Sequence, residues 1–83
     1  MPLKKAWHPL DRSTVGRAPD RYGVYELGDE DGTVLAVETG VLPDELKTVL
    51  AYGDAAKVRW EATQTREQAE ELADEHRRRL GER

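Results

Sequence analysis

A chain of 83 residues with 13 basic and 17 acidic side chains carries a net charge of −4 and has room for one small domain. It contains no cysteine, which excludes disulfides, thiolate metal sites and thiol catalysis. Its acidic balance argues against generic binding to nucleic acid or anionic membranes.

No apolar run approaches the roughly 18 residues of a membrane span. The opening "MPLKKAWHPL" has no long apolar stretch, so no secretory signal is expected and cytoplasmic residence is the default. Four lysines stand against nine arginines, and Ile, Phe and Asn are absent; the acid excess with few lysines points to salt adaptation. Residues 1–21 sum to +3, residues 22–54 to −7 and residues 55–83 to zero.

In chain order, residues 1–10 read as an extended arm, because Pro2 and Pro9 break any helix. "LDRSTVGRAP" accommodates one or two helical turns capped by Asp11 or Ser13. "RYGVYEL" is a Tyr- and Val-rich strand, "GDEDG" a turn, and "TVLAVET" the returning strand of a hairpin. In "VLPDELKTVLAYG", Pro43 suits the first helical position, Leu42, Leu46, Val49 and Leu50 share a face, and Gly53 stops the helix. "AKVRWEAT" alternates, with Val58, Trp60 and Ala62 on one side and Lys57, Arg59 and Glu61 on the other, as in a half-exposed strand.

The last segment, "TREQAEELADEHRRRLG", opens with a capping box from Thr65 and Gln68. Ala69, Leu72, Ala73, His76 and Leu80 form its apolar stripe. Asp74 with Arg78 and Glu75 with Arg79 are spaced as i,i+4 pairs. The order α-β-β-α-β-α predicts an α+β domain spanning the chain, with helices flanking a three-stranded antiparallel sheet (the hairpin plus one strand).

With Gly23-Val24-Tyr25 opening the hairpin and a helix, a strand and a capped helix following, the segment 11–80 resembles the GIY-YIG domain of endonucleases. The overall pattern also resembles small uncharacterised haloarchaeal proteins, which implies no function. The nuclease resemblance implies a second tyrosine at position 36 and a glycine at 38, which here are Ala36 and Glu38. It implies an arginine in the helix after the hairpin, where this chain has Glu45, and a metal-binding glutamate in the last helix, where it has Ala73. Only Tyr25 remains of that set. Alanine ligates no metal, and a carboxylate reverses the charge needed against a phosphodiester. A catalytically inactive domain with no cofactor and no metal is therefore expected.

Other constellations are weak. His8 and His76 are the only histidines, and His76 on the apolar stripe reads as a semi-buried core residue. Ser13 is the sole serine and offers no triad. Two interaction surfaces are expected for a protein partner. One is the face of Ala36, Glu38 and Glu45, suited to a basic partner; the other is the arm with Lys4, Lys5, Trp7 and His8. Trp7 reads as a plug at the core edge or an anchor for a partner. The alternative is a non-cleaving nucleic-acid module using Lys4, Lys5, Arg12, Arg17 and Arg21 together with Arg77, Arg78 and Arg79, which requires both basic segments to share one face.

Overall fold

In a computed structural model, residues 6–81 are described; Lys4, Lys5 and the side chain of Leu80 lie outside the described part. The elements are β1 (His8–Pro9), α1 (Arg12–Gly16), β2 (Tyr22–Gly28), β3 (Val34–Val41), α2 (Leu42–Tyr52), β4 (Lys57–Ala62) and α3 (Arg66–Gly81). The chain is an α+β unit with three helices and one antiparallel sheet of order β1-β4-β2-β3. The expected three strands become four, because His8 and Pro9 in the arm pair with Val58 and Lys57. A two-residue strand carrying a proline has no periodicity to betray it.

The β2–β3 hairpin turns on Asp29, whose carboxylate accepts the amides of Asp31 and Thr33 at 2.9 Å, and on Gly32 at φ 83°. The register runs from Tyr22 opposite Val41 to Leu27 opposite Ala36, then shifts so that Gly28 meets Val34. Leu35 is the extra residue of that bulge and stays exposed.

Central β2 buries both of its faces. Tyr25 joins Val15, Leu42, Leu46 and Val58 in one cluster, on the side of α1 and α2. Val24 joins Val37 and Ala73 in the other, under α3. Adjacent strand residues point oppositely, so α1 and α2 cover one face and α3 the other. This corrects the half-exposed reading of β4: Val58 and Trp60 pack toward α2 as expected, but Arg59 on the second side is only 13% exposed.

Local signals at the helix ends are mostly those of the sequence. Asp11, rather than Ser13, caps α1, accepting the Thr14 amide at 2.8 Å. Pro43 is the second residue of α2, with Asp44 and Glu45 beside it in the first turn, and the Gly53 amide closes the helix onto the Val49 carbonyl. Thr65 accepts the Gln68 amide at 3.1 Å, but the Gln68 side chain reaches back to the amide of Gln64, one residue before the reciprocal position. Arg79 pairs with Glu75 at 2.7 Å as expected, whereas Asp74 meets Arg77, not Arg78, at 3.5 Å.

Candidate functional site

Tyr25 stands at the middle of the sheet on the α2 side, 3% exposed, and its hydroxyl donates to Glu45 Oε1 at 2.9 Å. Glu45 reaches it by crossing Gly40: a Cβ at residue 40 would fall on the Glu45 side chain, so the missing methyl leaves the path. Burial pushes the Tyr25 phenol well above its ordinary range; the hydrogen bond to Glu45 and the charges of Glu45 and Glu38 push the same way. The neutral phenol donates its hydrogen bond to the Glu45 carboxylate.

Across the ladder Tyr25 faces Glu38, while Ala36 is paired with Leu27 and half-buried. Glu38 is exposed and lies 3.6 Å from Arg77. Arg77 also donates twice to the Val37 carbonyl, at 2.6 and 3.0 Å, and so ties α3 to the edge strand β3. Position 73 is not part of this arrangement. Ala73 is fully buried against Val24 and Val37, on the face of the sheet opposite Tyr25. The nearby carboxylates of Glu71, Asp74 and Glu75 are exposed. Among the described residues no three His, Asp or Glu side chains converge to hold a metal ion.

On the α3 side of the sheet lies a polar group that alternation concealed. Glu26 is fully buried, with Arg59 Nε 2.7 Å from its Oε1 and His76 Nδ1 3.6 Å from its Oε2. His76 is buried as the stripe predicts, and its Nδ1 makes no hydrogen bond. Trp7 closes the group from above, its ring 3.9 Å from the Arg59 guanidinium. The same ring fills the space over Gly28, where a Cβ would come within 2.7 Å. Trp7 is thus a half-buried plug, and neighbouring His8 turns to the other face and stacks on Trp60 with centroids 5.7 Å apart. One signal for the buried pair was available: Glu26 is two residues from Val24, hence on its face, and Arg59 holds the matching phase of β4.

Among the described residues the arginines of α1 and of the 77–79 run do not gather. Arg12 lies on α1 and Arg17 caps its C-terminus, on the α2 side, while Arg77, Arg78 and Arg79 ride on α3 over the opposite face. Within the run 77–79, Arg77 is engaged with Val37 and Arg79 with Glu75. No helix among the described residues is long and apolar enough to cross a membrane.

No curated protein and no solved structure matches the chain significantly. A family model described as "Domain of unknown function (DUF7508)" matches residues 1–79, nearly the whole length, and the chain belongs to that family.

Proposed function

We propose that this chain is a non-catalytic interaction module, a GIY-YIG-like domain without its nuclease chemistry, whose Glu38–Glu45 face receives a basic protein segment. The carrying observation is the Tyr25–Glu45 hydrogen bond of 2.9 Å. Where a nuclease of that resemblance would place a cation against phosphate, this chain holds a carboxylate, locked by the tyrosine that would have served the chemistry. The burial of Ala73 on the other side of the sheet supports the non-catalytic part of this reading, and it removes position 73 from the Tyr25 side that the GIY-YIG resemblance requires. A metal placed there would be separated from Tyr25 by the sheet itself.

Placement of the α1 and α3 arginines on opposite faces disfavours the nucleic-acid module, because counterion release needs several cations along one backbone track. Titration of the ¹⁵N-labelled chain with oligolysine tests the proposal, alongside a salt-titrated DNA gel shift. Amide shifts centred on residues 38 and 45, with no DNA retardation at low salt, are expected. Unmoved amides there, or retarded DNA, overturn it.

A further inference from the structure

Between α1 and α2 lies an open groove of about 440 Å³ lined by Arg12, Val15, Gly16, Lys47, Leu50 and Ala51. Its floor is apolar, formed by buried Val15 and half-buried Leu50. Its rim carries one cation from each helix, and neither Arg12 nor Lys47 makes an ion pair among the described residues. Lys47 is the only basic side chain between residues 22 and 54, a stretch with eight acidic ones. Lys47 therefore reverses the charge of its own stretch, while Arg12 belongs to residues 1–21, which sum to +3.

Gly16 forms part of the wall. Its φ is not positive, and a Cβ there would meet nothing within 4 Å. The backbone does not require glycine at this helical position, where it costs conformational entropy. What its missing side chain leaves is open space over Val15 and Leu50.

We infer that the α1–α2 groove is a docking site for an acidic, amphipathic segment of a protein partner. One large apolar side chain would enter between Val15 and Leu50, and flanking carboxylates would meet Arg12 and Lys47. Openness favours a peptide over a small molecule, since the groove cannot enclose a free ligand. Charge complementarity selects the acidic flanks and suppresses basic partners. The site deepens the reading of the chain as an interaction module and rests on it, but its partner has the opposite charge to that expected at Glu38 and Glu45.

Selection of a displayed random peptide library on the immobilised full chain tests the groove. Enriched peptides are expected to carry a Leu, Phe or Trp flanked by Asp or Glu. Their binding should disappear in Gly16→Trp, which fills open space and should keep the wild-type thermal midpoint, and weaken roughly tenfold in Arg12→Glu/Lys47→Glu. Absence of enrichment, enrichment of non-acidic peptides, or equal binding to Gly16→Trp overturns the inference. Dodecanoate binding without peptide enrichment also overturns it and assigns the groove to anionic amphiphiles. These outcomes leave the oligolysine titration untouched, so failure of the groove and failure of the module are separable.

Discussion

Glu26 and Arg59 face each other across the β2–β4 ladder, Nε to Oε1 at 2.7 Å, with the carboxylate wholly removed from solvent. A buried pair of this kind contributes little net stability over an apolar replacement, but losing one member strands a charge. Arg59→Met should cost about 3–5 kcal/mol in urea denaturation, and Glu26→Leu/Arg59→Met should recover most of it. A double variant as unstable as Arg59→Met would show that the charged pair itself is required by the fold.

Trp7 and Gly28 form a second coupled pair. Trp7→Ala removes the indole from Arg59, a contact worth roughly 0.5–2 kcal/mol, together with its packing over β2. Gly28→Ala should destabilise the wild type by pressing a methyl against the ring. In the Trp7→Ala background the same substitution should be nearly neutral. A double-mutant cycle in thermal melts reads the coupling, and additive effects would mean that the ring is not what Gly28 accommodates.

The Tyr25 phenol has a pH signature, set first by its burial and then by the bond to Glu45. The phenol's folded value lies above its unfolded value of about 10, so the native state holds the proton where the unfolded chain has released it. The associated stability is fully present below about pH 10 and declines as pH rises beyond it. Tyr25→Phe should cost about 1.5 kcal/mol at pH 7, the low end for a bond to a charged group because Glu45 is partly exposed, and should flatten the alkaline decline. Gly40→Ala should lose the same bond by displacing Glu45. Thermal midpoints from pH 8 upward check both variants; an unchanged alkaline slope in Tyr25→Phe would place its origin elsewhere.

At the acid end, the Thr14 amide bonded to Asp11 holds that carboxyl below its ordinary 3.8. The cap therefore stabilises α1 above that value and is lost as pH falls through the lower folded one. Protection of the Thr14 amide from hydrogen exchange should fall in Asp11→Ala at pH 6 and survive in Asp11→Asn, which keeps the acceptor.

Elements with a strong local cause were legible in the sequence: the hairpin from its Asp-Gly turn, α2 from its proline and leucine spacing, α3 from Thr65 and the alanine stripe. β1 was not, because its pairing is set by β4 fifty residues away. The exposure of β4 was misread because alternation reports two faces but not what covers each. Arg59 looked solvated until Glu26 and Trp7 enclosed it. At the candidate site, the sequence showed only that Glu45 follows the hairpin and that Ala73 lies on the apolar stripe of α3. It could not reveal that these positions lie on opposite faces of the sheet, nor that Gly40 opens the route from Glu45 to Tyr25.

Incubation of the full chain with supercoiled plasmid in magnesium or manganese tests the central claim most directly. Without a cation at 45 or a carboxylate at 73, the chain should nick no more plasmid than buffer does at any salt concentration. Metal-dependent nicking would contradict it, and loss of that nicking in Asp74→Ala would assign the metal to an exposed carboxylate of α3.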